Sequence, residues 1–222
     1  MSGERAPGGM GNTVEAIFWD NDGVLVDTEQ VYYESTRDTM ATARIVLTPQ
    51  DYLEHFLIQG RGAWHLAEER GIAPAEIVRL RDARNALYAD RLAERSRLIE
   101  GVADVLAALH GRYVMGVVTS SRRDHFDVIH RSTGLLAYFD FVLTSEDFTH
   151  VKPNPEPYLK AVARSGAPAE ACVAVEDSAR GLAAAKAAGI GCIVIPTALT
   201  RGSRFDTADR VLATVTELLD VL

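Results

Sequence analysis

The sequence predicts an α/β protein of three layers, α/β/α, built on a parallel sheet, with an all-helical domain inserted near its start. Short apolar runs of strand length alternate with helical patterns along most of the chain. That alternation is the signature of a parallel sheet covered by helices on both faces. Residues 28–97 break it and read as helix only. Acids, hydroxyls and a lysine follow the ends of the apolar runs, at the sheet edge where such folds carry their ligands.

Residues 15–19 form the first predicted strand, a short apolar run that ends in acids and Gly23. Helices are then expected over 31–43, 49–57, 63–70 and 74–95, punctuated by Gly60-Arg61-Gly62 and Gly71. The helical domain is therefore placed at 28–97, and the core at 14–27 and 98–222. In the core a helix is expected at 102–109, followed by strands at 113–119, 140–143, 172–175 and 192–195. Between them lie helices at 122–133, stopped by Gly134, and at 155–165, with Pro155 near the start and Gly166 just past the end. The Ala-rich helix at 179–188 closes at Gly189. Residues 1–13 are Gly-rich and lack an apolar segment, so they read as a disordered leader and not a secretory signal.

Composition narrows the partners. The chain has 222 residues, 47% apolar and 24% charged, enough for a sizeable core. A net charge of -8 with no Lys/Arg cluster argues against nonspecific nucleic-acid binding. It leaves anionic substrates open, because a local lysine and a metal can still attract them. No apolar run reaches the ~18 residues that span a membrane. Cys172 and Cys192 lie in apolar strands, as buried free thiols of a reducing, cytoplasmic compartment do.

Four segments carry chemistry. After the first strand comes Asp20-Asn21-Asp22-Gly23. Two acids meet there at a sharp turn, one able to attack phosphorus and the other to move a proton. The same letters also suit a turn or the start of a calcium loop, but Val24-Leu25-Val26 supply no further oxygen ligands. Thr119-Ser120-Ser121 follows the second strand at a helix start, an anion site or a plain helix cap. Lys152 lies between Val151 and Pro153, as a cation able to offset phosphate charge or as a solvated loop residue. Glu176-Asp177-Ser178 brings two more acids to the same edge. With Asp20 they make the oxygen-rich site that magnesium requires, or else acids placed at a helix N-terminus.

Each segment is modest alone, but their order on separate strands closely resembles the haloacid dehalogenase (HAD) superfamily, whose core is Rossmann-like. More narrowly it resembles the branch of phosphoglycolate phosphatase, β-phosphoglucomutase and CbbY-like sugar-phosphate phosphatases. The resemblance covers 14–222. It implies a Mg²⁺-dependent phosphatase acting on a small phosphorylated metabolite, a sugar phosphate or phosphoglycolate, through an aspartyl phosphate. Asp20 is then the nucleophile and Asp22 the general acid/base, and Lys152 orients Asp20. Thr119 and the Ser120 amide bind phosphate. Asp20, the Asp22 carbonyl, Glu176 and Asp177 hold the metal. The helical insertion corresponds to the family's cap, with its hinge beginning at Asp27-Thr28. Monomer and homodimer are both compatible.

The departures from the family pattern are specific. Asn21 replaces the usual apolar residue between the acids, with little effect expected. Glu176 stands where many family phosphatases have Gly, and Gly181 where many have a second Asp. This Glu-Asp-Ser-x-x-Gly form is shared with the β-phosphoglucomutase and CbbY-like subgroup. A phosphomutase is therefore the first rival; the His and Arg that family mutases use correspond to Tyr32 and Ala63, with Arg61 close by as a substitute for the Arg, and the lack of the His argues for hydrolysis. A haloacid dehalogenase would need neither Asp22 nor the Glu176-Asp177 pair, and nothing favours a non-catalytic binding module. In the insertion, Arg61, Trp64 and His65 resemble the substrate-specificity loop. Arg61 is the candidate for a second anionic group of the substrate, against the alternative that it is solvated while Trp64 packs in the insertion's core. His125 is expected at the surface.

Overall fold

The computed structural model describes residues 14–59, 61–95 and 97–222. The expected leader at 1–13 and Gly60 of the specificity loop lie outside the described residues. Six strands form one sheet in the order β3-β2-β1-β4-β5-β6, and every neighbouring pair is parallel. They are β1 (Ala16–Trp19), β2 (Val114–Val118), β3 (Phe141–Leu143), β4 (Cys172–Glu176), β5 (Gly191–Val194) and β6 (Arg210–Val211). β1 and β4 are apolar at nearly every position because both faces of the sheet are covered. Ile17, Trp19, Val173 and Val175 pack on one side with helices α5 (Val102–Leu109) and α6 (Arg123–His130). Ala16, Phe18 and Ala174 pack on the other with α7 (Glu156–Ser165) and α8 (Ala179–Ala187). Successive side chains of one strand thus enter different layers.

Five strands stand where the sequence places them. β6 was not expected, since Arg210–Val211 is a two-residue edge strand with an exposed valine and carries no apolar run. Cys172 and Cys192 are buried free thiols, as expected.

Helices α1 (Glu29–Thr42), α2 (Pro49–Tyr52), α3 (His65–Glu69) and α4 (Pro74–Arg95) follow β1. They gather on their own apolar cluster, in which Tyr33, Met40, Leu47, Tyr52, Trp64 and Leu80 are buried. The single helix expected over 49–57 is two structures. Thr48 caps α2 in a capping box, and a π-helix at Leu53–Ile58 continues it. A π-turn is wider than an α-turn and tends to occur where function re-aims side chains; Phe56 and Leu57 of this one face the cavity described below. The two chain segments joining these helices to the sheet are hydrogen-bonded to each other. Asp27 N–H donates to Arg97 O at 2.8 Å, and Ile99 N–H donates to Leu25 O at 3.0 Å. No described helix is long and apolar enough to cross a membrane.

Candidate active site

Asp20 is the first residue past β1, and its backbone N–H donates to Val175 O on β4 at 2.9 Å. The chain then turns sharply, with Asn21 O accepting from Leu25 and Val26, and Gly23 at φ +84. Gly23 is fixed by space as well as by torsion, since a Cβ there would lie 2.5 Å from Asp177 Oδ2. β1, β2 and β4 are adjacent, so Asp20, Thr119 and Asp177 meet at one edge of the sheet.

Lys152 reaches this edge from the loop after β3. Its Nζ donates to Asp20 Oδ1 at 2.9 Å, to Glu176 Oε1 at 2.6 Å and to Val118 O at 2.7 Å. It is 2% exposed, so the solvated-loop alternative is excluded by its burial. Burial alone would lower its pKa, but the Asp20 and Glu176 carboxylates hold it above the usual lysine value. Glu176 is fully buried and also accepts from Tyr158 Oη at 2.6 Å. Its carboxylate fills the space over Gly181, where a Cβ would stand 1.9 Å from Glu176 Cδ. An acid at 176 thus requires a residue without a side chain at 181. That accounts for the Glu-Asp-Ser-x-x-Gly form in steric terms.

Asp22 is held by three hydroxyls. Thr28 Oγ1 donates to its Oδ1, and Ser121 Oγ donates to its Oδ2 at 2.5 Å, with Thr119 Oγ1 at 3.3 Å. Ser120 lies beside them with a buried hydroxyl that has no partner among the described residues. Thr28 belongs to the segment entering the insertion and Thr119 to the loop after β2, so one carboxylate ties both to the Asp20 turn.

Carboxylate oxygens of Asp20, Glu176 and Asp177 lie within 4.8 Å of one another. Burial pushes the Asp20 carboxyl up to about 7, with Lys152 opposing and Glu176 and Asp22 adding to the rise. Burial, Asp20 and Glu176 raise Asp177 well above the carboxylate range, and its Oδ2 has no hydrogen-bond partner among the described residues. Crowded buried acids of this kind need a further positive charge to remain ionised. The hard oxygen donors fit a divalent cation. Of the predicted metal residues, Asp22 keeps its side chain outside this cluster; the ligand atom expected of it is the backbone carbonyl.

Above the edge lies a cavity of about 390 Å³ between sheet and insertion. Asp20, Asp22, Thr119, Ser120 and Asp177 line its floor, and Tyr32, Trp64, Arg84 and Tyr88 line the side given by the insertion. Arg61 also borders it but is exposed, with Nη2 hydrogen-bonded to His65 Nε2 at 2.9 Å. Trp64 packs in the insertion's core at 7% exposure. The expectation for His125 is corrected. It is 6% exposed, and its ring meets Tyr88 edge-on at 5.0 Å. α4 of the insertion packs on α6, a long-range contact that the α6 sequence does not announce. Asn21 is buried and accepts at Oδ1 from His130 Nε2 at 2.7 Å.

Sequence reasoning missed Tyr158 and Arg84, because each lies inside an ordinary helical pattern. For Tyr158 and Arg84 the available signal was a large polar side chain on a helix face otherwise filled by core residues.

A family model described as haloacid dehalogenase-like hydrolase matches residues 17–195. The CbbY protein of Cereibacter sphaeroides is 31% identical over 216 residues, covering 92% of this chain and 94% of that protein. Fructose-1-phosphate phosphatase YqaB of Escherichia coli K12 is 28% identical over 186 residues, covering 80% of this chain and 94% of that protein. The crystal structure of CbbY from Rhodobacter sphaeroides in complex with xylulose-(1,5)bisphosphate superposes with a TM-score of 0.80. It shows 29% identity and covers 93% of this chain and 96% of that one.

Proposed function

Since the chain belongs to the haloacid dehalogenase-like hydrolase family, we propose that it is a Mg²⁺-dependent phosphatase that hydrolyses a small sugar phosphate through a phosphoryl group carried on Asp20. The observation that carries this reading is the Asp20 carboxylate, buried at the cavity floor and held by Lys152 beside a second acid and a hydroxyl-rich loop. The sugar-phosphate class is taken from the relatives, which include a fructose-1-phosphate phosphatase and two hexitol phosphatases.

In this reading Asp20 Oδ attacks phosphorus and the bond from phosphorus to the ester oxygen breaks. Asp22 gives its proton to that oxygen, and the alcohol leaves. Asp22, now a carboxylate, takes a proton from the water that attacks the same phosphorus, and Asp20 is released with inorganic phosphate. Lys152 holds the charge and direction of the nucleophile. Thr119 and the Ser120 amide receive the phosphate oxygens. A magnesium ion held by Asp20, Glu176, Asp177 and the Asp22 carbonyl would neutralise charge between these acids and the phosphate, the main need in phosphoryl transfer. Helices α1–α4 act as a cap that excludes water during the first step and opens at the paired segments near Asp27 and Arg97.

The test is a panel of phosphorylated sugars assayed for free phosphate, with Mg²⁺ and with a chelator. Phosphate release that stops on chelation is expected. Activity that survives chelation would overturn the metal assignment. Conversion of glucose 1-phosphate to glucose 6-phosphate without release would favour the mutase instead.

A further inference from the structure

We propose that His125 hydrogen-bonds a hydroxyl of the substrate on the carbon next to the phosphate ester, so that the preferred metabolite is a phosphorylated polyol or sugar with a free hydroxyl at that place. The inference rests on the phosphatase reading above and adds to it the residue that reads the substrate beside the phosphate.

His125 lies in the first turn of α6, 6% exposed, on the wall of the cavity that holds Asp20. Its backbone N–H donates to Asp124 Oδ1 at 2.8 Å, but neither ring nitrogen is hydrogen-bonded among the described residues. Leaving the polar edge of a buried ring unpaired is costly unless a ligand meets it. The Tyr88 ring, 2% exposed, meets the imidazole edge-on at 5.0 Å with 87° between the planes. The ring is therefore oriented before a substrate arrives. A phenyl ring would make the same contact, so packing alone does not call for the nitrogens.

The imidazole is neutral. Burial lowers its pKa below the ordinary 6.5, with Arg122 and Arg84 adding to the fall and Asp124 and Asp22 opposing it. A neutral imidazole presents one donor and one acceptor, and a hydroxyl is likewise both. Tyr52, Asn85, Thr119 and Ser121 also line the cavity but are engaged. Tyr52 donates to Glu29, Asn85 accepts from Arg84, and Thr119 and Ser121 donate to Asp22. The place along the substrate follows from the chain. His125 stands about one helical turn past Ser121, the end of the loop that receives the phosphate. It is also close enough to Asp22 to feel that carboxylate's charge. Asp22 serves the ester oxygen, so His125 faces the first carbons beyond it.

The test compares matched pairs in the presence of Mg²⁺, each differing by that one hydroxyl. Racemic glycerol 1-phosphate is set against 1,3-propanediol monophosphate, and fructose 1-phosphate against 2,5-anhydromannitol 1-phosphate. In at least one pair the hydroxylated member should have the higher kcat/KM, by about fivefold or more. His125→Phe, which keeps the ring against Tyr88, should bring that ratio close to unity. His125→Gln, which keeps a donor and an acceptor, should retain part of it, and thermal melts of both variants control for folding. Ratios near unity in the unaltered protein, or a ratio that survives His125→Phe, overturn the inference. p-Nitrophenyl phosphate, which has no such hydroxyl, separates the two levels. If the unaltered protein hydrolyses it while neither pair shows a preference, the inference alone fails. If it and all four compounds are inert, the phosphatase reading fails, and the inference with it.

Discussion

At the residue scale, the site depends on buried charges that are stable only together. Lys152 bridges Asp20 and Glu176 at 2.9 and 2.6 Å with 2% exposure. Lys152→Met should therefore cost about 3–5 kcal/mol of stability, because it leaves two buried carboxylates without their counter-ion. Thermal or urea unfolding reads that loss, and turnover should fall with it. The Glu176–Gly181 contact makes a sharper prediction. Gly181→Asp alone should abolish turnover, because its Cβ would overlap the Glu176 carboxylate. Glu176→Gly combined with Gly181→Asp moves the acid to the position used by many family phosphatases, and should recover a measurable part of kcat. A double variant as inactive as the single would contradict the steric account.

At the scale of elements, α6 links the two halves of the site. Its first turn follows the Thr119–Ser121 loop, and its last residue, His130, bonds Asn21 between the two acids. Burial lowers the His130 pKa from the ordinary 6.5 to about 4. Between those values the unfolded chain binds the proton and the folded one does not. Stability from this group is thus present above 6.5 and lost as pH falls toward 4. The Asn21→Leu/His130→Phe pair removes the titrating group and should lose Tm less steeply than the unaltered protein across that window. An equal slope would show that His130 is not held neutral. The elements also show what was legible in the sequence. β1, β4 and the helices after them could be read because period and punctuation agree there. The π-helix at Leu53–Ile58 could not, since α- and π-turns draw on the same residues. β6 could not either, because backbone pairing forms it without an apolar run.

At the scale of the whole molecule, four loops from separate strands converge on one edge, and a helical insertion covers it. The core residues of the site were readable because their types and order on successive strands are tied to one sheet edge. Arg84, Tyr158 and the burial of His125 were not, because tertiary contacts between distant helices decide them. The central claim is that Asp20 carries the phosphoryl group. Borohydride reduces an acyl phosphate to an alcohol and leaves a free carboxylate intact. The protein should be quenched during turnover of fructose 1-phosphate, reduced, digested and sequenced by mass spectrometry. The account predicts homoserine at position 20 and at no other aspartate, dependent on Mg²⁺ and lost without substrate. Steady phosphate release with residue 20 recovered only as aspartate, or with the reduced residue found at another acid, would contradict it.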